Sequence, residues 1–217
     1  MSDIALRGAA MWDERYRSQP YAYGLEPNGF LAAHAERLEP GMRALVPGDG
    51  EGRNGVWLAA RGLEVDTLDL SAFGVEKARR LAAGKGMTIN AIQADALLWD
   101  WPEARYDVVA LIFLHLVEPD RRAVHAKAIG ALKPGGIVVL EAFRPEQIER
   151  QTAGARGGPR DAALLYSPEA LQTDFAGEDV LMLEAAEAAL SEGALHVGPS
   201  AVVRALVRRR VGALASR

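Results

Sequence analysis

Residues 44–52 read Ala-Leu-Val-Pro-Gly-Asp-Gly-Glu-Gly, a short apolar run followed directly by a loop with three glycines. A helical pattern follows, with apolar residues at Val56, Leu58 and Ala59 before Arg61-Gly62 ends it. Glycines in such a loop let the backbone approach a ligand and expose amides where the next helix begins. This stretch predicts an α/β fold and places its ligand beside the loop.

Apolar runs and helical patterns alternate beyond this stretch. Residues 107–114 are almost all apolar, which is typical of a strand buried on both faces of a parallel sheet. Ser71 is predicted to cap a helix that ends at Gly84 in the left-handed conformation. Residues 133–136 (Lys-Pro-Gly-Gly) end a later helix and turn the chain into another strand. Five parallel strands are predicted, over residues 44–46, 64–68, 88–93, 107–114 and 137–140.

The C-terminal part breaks this rhythm. Residues 145–166 are predicted to form a mobile loop, and Ser167 with Pro168 opens a short helix. Two extended runs, 180–189 and 195–208, are joined by Ser-Glu-Gly at 191–193 and predict a hairpin. The predicted fold class is therefore a doubly wound α/β fold with a mostly parallel, seven-stranded, Rossmann-like sheet that ends in an antiparallel hairpin.

Composition restricts the function classes. The 217 residues predict one domain, with a helical N-terminal cover over residues 1–40 and an α/β core over residues 41–217. The net charge of −4 gives no reason to expect nucleic acid, and the basic run at 208–210 is predicted to be a solvated strand end. Cysteine is absent, and no apolar run is long enough to span a membrane. We expect a cytoplasmic protein without a membrane partner.

An acidic residue closes the second predicted strand. Asp69 follows about 20 residues after Gly48, where a carboxylate can accept hydrogen bonds from both hydroxyls of a ribose. This pattern indicates an adenosine-type ligand. Arg53 stands where a dinucleotide-binding loop has its last glycine, which disfavours an NAD(P)-dependent oxidoreductase but leaves it as an alternative. A glycine-rich turn that only joins strand to helix is the other alternative.

Further short motifs occur in order along nearly the whole chain. They are Trp12-Asp13-Glu14-Arg15-Tyr16, Tyr23-Gly24, Pro27-Asn28, Phe30-Leu31, residues 50–54 (Gly-Glu-Gly-Arg-Asn), Asp69-Leu70-Ser71, Ala94-Asp95, residues 132–136, His196-Val197-Gly198 and Val202-Val203-Arg204. With this ordered set the chain resembles the class I S-adenosylmethionine-dependent methyltransferases, and within them the tellurite-resistance-like group of small bacterial methyltransferase domains. The resemblance implies S-adenosylmethionine as the cofactor.

The resemblance also implies roles for individual residues. Asp69 would hold the ribose diol, Leu70 would pack against the adenine, and Asp95 with Ala96 would lie at its amino group. The methionine part of the cofactor would run along the loop of Gly48, Asp49, Gly50, Glu51, Gly52 and Asn54. Phe113, Leu114 and His115 would border the sulfonium and the methyl acceptor. The substrate pocket and its cover would comprise Trp12, Tyr16, Tyr23, Asn28 and His196.

One position departs from the family pattern. Val46 stands where these methyltransferases have an acidic residue on the first strand, and Asp49 or Glu51 would have to replace its contact with the methionine amino group. The departure keeps a non-catalytic S-adenosylmethionine-binding protein as a further alternative.

The implied chemistry needs few reactive groups. Methyl transfer from a sulfonium is an in-line displacement, so alignment supplies most of the catalysis, and a base is needed only when the acceptor must lose a proton. His115 is the candidate for that base. The four histidines have no metal-binding spacing such as His-Glu-x-x-His, so no metal is expected. The predicted reaction is methyl transfer to a small-molecule acceptor through sulfur, nitrogen, oxygen or an oxyanion.

Overall fold

The computed structural model describes residues 3–17 and 20–211 and has one seven-stranded sheet at its centre. The strand order is β3-β2-β1-β4-β5-β7-β6, with β1 to β5 parallel and β7 antiparallel to both of its neighbours. The sheet confirms the predicted fold class. The strands are β1 (Arg43–Pro47), β2 (Glu64–Asp69), β3 (Asn90–Gln93), β4 (Tyr106–Ile112), β5 (Leu132–Phe143), β6 (Asp179–Glu192) and β7 (His196–Arg208).

Helices cover both faces of the sheet. One face packs against α2 and α3, and the other against α5 and α7, while α1 lies on α4. The described helices are α1 (Asp3–Arg17), α2 (Gly29–Ala33), α3 (Arg53–Ala60), α4 (Ala72–Gly84), α5 (Glu118–Ala131), α6 (Gln147–Thr152) and α7 (Pro168–Asp174). Short 3₁₀ turns occur at Ala35–Arg37 and Ala162–Leu164. Because the sheet is buried on both faces, the central strand β4 is apolar from Val108 to Ile112, as the run at 107–114 predicted.

Two helix starts form as predicted. Ser71 Oγ accepts the Gly74 N–H at 3.1 Å, and Ser167 Oγ accepts the Ala170 N–H at 3.2 Å with Pro168 in the first turn. The end of α4 differs from the prediction, because Gly86, with φ +67°, takes the left-handed conformation instead of Gly84. Lys85 is the C-cap of this helix, so the glycine that follows the cap is the one that needs a positive φ.

Residues 133–136 do not form the predicted turn between a helix and a strand. They lie inside β5 and bulge out of it, since Tyr106 pairs with Leu132 whereas Val108 already pairs with Ile137. Hydrogen bonds to Arg209 hold the bulge in place: the Gly135 N–H donates to the Arg209 carbonyl, and the Arg209 N–H donates to the Gly136 carbonyl, both at 2.9 Å. Glycine signals a bulge and a turn equally well, which is why the prediction was wrong here.

Residues 145–166 are more ordered than the predicted mobile loop. They contain α6 and a 3₁₀ turn, and two glutamine side chains fix the segment. Gln147 Oε1 accepts the Ala201 N–H of β7 at 2.9 Å, and Gln151 Nε2 donates to the Gly157 carbonyl at 2.8 Å. The hairpin also differs slightly, because its turn lies at residues 193–195 and not at 191–193. The limits of β1 to β4 shift by at most two residues, with β3 beginning at Asn90 and β4 ending at Ile112. Larger shifts occur later in the chain, since β5 begins five residues earlier and ends three residues later than predicted, and β6 ends three residues later.

The loop after β1 needs glycine at position 52 for two reasons. Gly52 has φ +92°, and a Cβ added there would lie 2.6 Å from the Ala78 Cβ of α4. We expect Gly52→Ala to lower the free energy of unfolding by about 2–4 kcal/mol, the sum of left-handed strain and overpacking. The matched control is Gly84→Ala in the same helix as Ala78, where an added Cβ meets nothing within 4 Å. Urea denaturation should show the control unchanged or up to about 1 kcal/mol more stable. Equal stability of the two variants would contradict this account.

Candidate cofactor and acceptor site

The loop between β1 and α3 is shaped by three glycines with positive φ. Gly48, Gly50 and Gly52 have φ of +70°, +59° and +92°. The N–H groups of Gly48 and Asp49 both donate to the Leu68 carbonyl, at 2.7 and 3.2 Å, and the Gly52 N–H donates to the Asp49 carbonyl. These three amides therefore bond to the protein's own carbonyls, and the exposure of amides to a ligand where α3 begins stays a prediction. The glycines serve backbone conformation and close approach.

Asp69 ends β2 and joins this loop to the start of α4. Its Oδ2 accepts the Gly50 N–H at 2.7 Å, and its Oδ1 accepts the Ser71 N–H at 2.8 Å. Burial raises the pKa of Asp69 to about 6, against the lowering effect of these two hydrogen bonds. A carboxylate has about four acceptor positions, so each oxygen can accept one further hydrogen bond. Asp69 is thus held in place with acceptor capacity left for a vicinal diol.

Asp49 and Glu51, the expected replacements for an acidic residue at Val46, both point into the protein. Asp49 Oδ2 accepts the Gly55 N–H at 3.0 Å, and its Oδ1 is buried without a hydrogen bond. Burial raises the pKa of Asp49 to about 7. Glu51 Oε2 accepts the Ala22 N–H at 2.7 Å, and its other oxygen forms a buried ion pair with Lys77. The two acids stabilise α3 and the N-terminal segment.

The predicted adenine-side residues lie at neighbouring strand ends. The Ala94 N–H donates to the Asp69 carbonyl at 2.9 Å, which brings the end of β3 to the end of β2. Asp95 Oδ1 accepts the Leu97 N–H at 2.8 Å within its own turn, and the Ala96 carbonyl accepts the Trp101 indole N–H. Leu70 lies beside α1, since a Cβ on Gly8 would be 3.3 Å from the Leu70 Cδ2. The carboxyl ends of β1, β2 and β3 thus form one edge.

The N-terminal helix covers this edge with aromatic side chains. Trp12 stacks on Tyr16 with ring centroids 5.5 Å apart, and Tyr16 is only 4% exposed. A Cβ on Gly50 would lie 2.6 Å from the Tyr16 hydroxyl, so the phenol rests directly on the loop. Burial, with a further contribution from the Asp69 charge, raises the pKa of Tyr16. Among the described residues this hydroxyl has no hydrogen-bond partner, and its donor remains for a ligand.

The end of β4 connects the loop to a second aromatic group. Phe113 takes a left-handed φ of +51°, and its ring lies 4.6 Å from the rings of both His196 and Phe143. Tyr23 also packs on His196, with ring centroids 4.5 Å apart. Leu114 contacts the glycine loop, because a Cβ on Gly48 would be 2.9 Å from its Cδ1. Non-glycine residues with positive φ cluster at functional sites, which favours this corner as the place of the reaction.

His115 has both ring nitrogens bonded to the backbone. Its Nδ1–H donates to the Leu164 carbonyl at 2.7 Å, and its Nε2 accepts the Phe143 N–H at 3.4 Å. Burial lowers the pKa of His115 to about 4, so the ring is neutral at pH 7. In this arrangement neither nitrogen is free to take a proton from an acceptor.

Asn28 belongs to a buried polar network that was not predicted. Its amide donates to Glu141 and, at 3.2 Å, to Glu192. Arg204 Nε donates to Glu141 at 2.7 Å, and Arg53 Nη2 donates to Glu192 at 2.7 Å. The sequence contained a signal for part of this network, since Glu141 and Arg204 are opposite charges within apolar strands and pair directly across β5 and β7. Asn28 and Arg53, the partners of Glu192, do not lie opposite it on a neighbouring strand, so the sequence pattern gave no indication of these contacts. Asn54 also joins this region, as its Oδ1 accepts the Asn28 N–H at 2.9 Å.

A cavity of about 530 Å³ lies between residues 23–30 and the β6–β7 hairpin. Its wall includes Tyr23, Phe30, Glu192 and Arg204. Of the predicted substrate-pocket residues, Tyr23 lines this cavity, whereas Trp12, Tyr16, Asn28 and His196 lie outside its wall. The predicted residues thus fall into two neighbouring places, one against the glycine loop and one against the hairpin.

The buried carboxyl of Asp49 predicts a pH dependence of stability. Its folded pKa of about 7 exceeds its ordinary value of 3.8, so its stabilising contribution is complete below pH 3.8 and is lost as the pH rises to about 7. Asparagine cannot ionise. We therefore expect Asp49→Asn to gain stability relative to the parent between pH 4 and 7.5, by on the order of 2–4 kcal/mol.

Urea denaturation at several pH values measures this gain. The exposed Asp100→Asn removes the same charge and is the control, for which a difference of less than about 0.5 kcal/mol at every pH is expected. A pH-independent difference for Asp49→Asn would contradict the assignment of a buried, protonated carboxyl.

Comparison with known proteins identifies the matching part of the chain. Residues 44–136 match a family model described as a methyltransferase domain. The chain is similar to the tRNA 5-carboxymethoxyuridine methyltransferase of Escherichia coli (strain K12), with 32% identity over 102 residues, which are 46% of this chain and 39% of that protein. The matched part of the chain therefore spans less than half the length of that relative.

Solved structures share the fold over almost the whole chain. A structure from work on the conversion of a disulfide bond into a thioacetal group during echinomycin biosynthesis has a TM-score of 0.75 and 23% identity, and covers 96% of this chain and 95% of the other. TehB from Haemophilus influenzae has a TM-score of 0.69 and 14% identity, and covers 93% of this chain and 67% of TehB. At these identities the likeness shows the fold, so the narrower tellurite-resistance-like grouping stays a prediction. Residues 44–136 are thus similar to a methyltransferase domain, and the described chain shares its fold with these solved structures.

Proposed function

We propose that this protein transfers a methyl group from S-adenosylmethionine to a small-molecule acceptor by in-line displacement. The observation that carries the proposal is the position of Asp69, whose carboxylate joins the Gly50 amide of the loop to the Ser71 amide of α4. Ligands of doubly wound sheets bind beyond the carboxyl ends of the strands, and a fixed carboxylate at that edge suits a ribose diol.

Other residues fit the rest of the cofactor. When bound, S-adenosylmethionine supplies a methyl group already activated on a sulfonium. Tyr16, whose hydroxyl rests on Gly50 without a hydrogen-bond partner among the described residues, would donate to the carboxylate of the methionine part. Asp95 at the end of β3 would accept from the adenine amino group. The aromatic faces of Tyr23 and Phe113 suit a neighbouring cation and exclude water from it.

Two features support a small acceptor. The cavity of about 530 Å³ beside Tyr23 lies within the size range of small-molecule sites. The basic run at 208–210 is used internally, because Arg208 and Arg210 bind Asp179 while Arg209 donates to the Gly130 carbonyl. The expected exclusion of nucleic acid is nevertheless unsupported, since the E. coli relative is named for a tRNA nucleoside. Within residues 3–17 and 20–211, no helix combines the length and apolarity that crossing a bilayer requires. A cytoplasmic location remains part of the proposal.

Removal of the Asp69 carboxylate tests cofactor binding. We expect Asp69→Ala to weaken S-adenosylmethionine binding more than tenfold in isothermal titration, because two ribose hydroxyls lose their acceptor. The matched control is Glu64→Ala, an acidic residue at the exposed amino end of the same strand, which should bind as the parent does. Circular dichroism of both variants would establish that they are folded. Unchanged affinity in folded Asp69→Ala would remove Asp69 from the site.

A non-catalytic binder is the second candidate function, and one observation favours it. Val46 is buried, and the carboxylates of Asp49 and Glu51 face the protein, so none of the three offers an acid to the methionine amino group. This candidate predicts binding of S-adenosylmethionine without turnover.

A turnover screen separates these functions. S-adenosylhomocysteine formation would be measured with thiols, amines, oxyanions and total tRNA as acceptors; thiols are included because the echinomycin-related structure concerns sulfur chemistry. Product with a small acceptor supports the proposal, methylated tRNA overturns its acceptor class, and binding without any product favours the second candidate. Thermal stabilisation by NAD or NADP, but not by S-adenosylmethionine, would instead favour an oxidoreductase.

A further inference from the structure

We infer that His196, oriented by the Glu192 carboxylate, is the general base of this site for acceptors that must lose a proton. The inference rests on the proposed function, since it assigns the proton acceptor for the same methyl transfer. It also replaces His115 in the role that the sequence first suggested, because both nitrogens of His115 are bonded to backbone groups.

Hairpin geometry places the two residues opposite each other. Glu192 is the last residue of β6, His196 is the first of β7, and they pair directly across the turn. His196 Nδ1 lies 3.4 Å from Glu192 Oε2, a long hydrogen bond of the kind that often tightens when a ligand binds. Because a carboxylate can only accept, this contact puts the proton on Nδ1 and leaves the lone pair on Nε2.

Glu192 is itself held in position. Arg53 Nη2 donates to Glu192 Oε2 at 2.7 Å, and the Asn28 amide donates to Oε1 at 3.2 Å. A base oriented by a fixed carboxylate is the arrangement by which enzymes set the tautomer of a catalytic histidine. The polar network around Asn28 thus has a use beyond stability, since it fixes the group that orients the imidazole.

The other nitrogen of His196 faces no protein acceptor or donor. Among the described residues Nε2 makes no hydrogen bond, and this nitrogen is not completely sealed from solvent. The ring packs on both Tyr23 and Phe113, at 4.5 and 4.6 Å between centroids, and these are the two aromatic side chains proposed to lie around the sulfonium. Burial lowers the pKa of His196, partly offset by Glu192, so the imidazole is neutral and able to accept a proton at pH 7.

The proposed step balances as follows. The acceptor atom forms a bond to the methyl carbon while the carbon–sulfur bond breaks, and the electron pair of that bond stays on sulfur as the neutral thioether. The acceptor's proton passes to His196 Nε2. The resulting imidazolium is stabilised by the Glu192 carboxylate and then releases its proton to solvent.

The tautomer is the first test and needs no acceptor. Nitrogen-15 spectra of ¹⁵N-histidine-labelled protein, saturated with sinefungin at pH 8, should show His196 protonated on Nδ1 with an unprotonated Nε2. Loss of one signal in His196→Asn assigns it, and His34→Asn assigns a second of the four histidines. A proton on Nε2 of His196 overturns the inference. Failure of sinefungin to bind would count against the proposed function instead, because the tautomer is measurable without it.

Rates with two probe acceptors are the second test. At pH 7 an aliphatic thiol such as 2-mercaptoethanol is protonated, whereas 4-nitrothiophenol is ionised and needs no base. We expect His196→Asn to slow methylation of 2-mercaptoethanol about 100-fold or more, and that of 4-nitrothiophenol less than threefold. Asparagine keeps a donor for Glu192, and unchanged sinefungin affinity would show an intact cofactor site.

Two further variants complete the kinetic test. Glu192→Gln, which removes the charge of the positioning residue, should give the same selective loss to a smaller extent. His34→Asn, in which a histidine near α2 is replaced, should leave both rates unchanged. Equal losses with both thiols in His196→Asn, or no loss with either, would overturn the inference. If neither thiol is methylated, the tautomer decides the question alone.

Discussion

A buried carboxylate that binds two backbone amides holds this site together. Asp69 links the loop after β1 to the beginning of α4, so two elements that contact the candidate ligand depend on one side chain. The link is costly: a pKa raised from 3.8 to about 6 corresponds to roughly 3 kcal/mol in favour of the neutral form. A chain that only had to fold could join these elements without a buried charge. Retaining an ionisable group at such a cost is typical of a binding site.

The N-terminal segment depends on similar buried polar contacts. Glu51 binds the Ala22 amide, Asn54 binds the Asn28 amide, and Asn28 continues to Glu141 and Glu192 on the sheet. Breaking any one partner would leave a buried polar group unsatisfied, which typically costs 1–3 kcal/mol. These contacts therefore set the position of the cover more strictly than apolar packing alone would. They also explain why Glu51 is unavailable to a ligand, because its carboxylate already accepts the Ala22 N–H of the N-terminal segment.

Strands and helix starts were predictable from the sequence because their causes are local. The apolar run at 107–114 reflects burial on both faces, and the serines at 71 and 167 cap helices through their own turns. The predictions that were wrong concern segments whose conformation depends on contacts between residues far apart in the sequence. The bulge at 133–136 is fixed by Arg209, and residues 145–166 are fixed partly by the bond from Ala201 to Gln147.

In the candidate site, too, features with local causes were predictable from the sequence, whereas features that depend on distant contacts were not. Asp69 was predictable because strand end and carboxylate coincide in the sequence, whereas the directions of Asp49 and Glu51 depend on Gly55 and on Ala22. The pairing of Glu192 with His196 requires the register of the hairpin, which the predicted turn at 191–193 placed two residues too early. Histidine at the end of β4 was the simpler candidate from sequence, and only the bonds to Leu164 and Phe143 show that its nitrogens are occupied.

The proposed cofactor side and the proposed acceptor side come from different parts of the chain. The region that matches the methyltransferase family, 44–136, contains the glycine loop, Asp69 and Asp95. Tyr23, Glu192 and His196 lie outside it, and the hairpin tip packs so closely on residues 22–24 that a Cβ on Gly193 would be 2.4 Å from the Gly24 nitrogen. Segments from both ends of the chain therefore shape the acceptor side together. In the proposed function, acceptor choice therefore depends on the fit of the hairpin to residues 22–24, which lie outside the region that matches the methyltransferase domain.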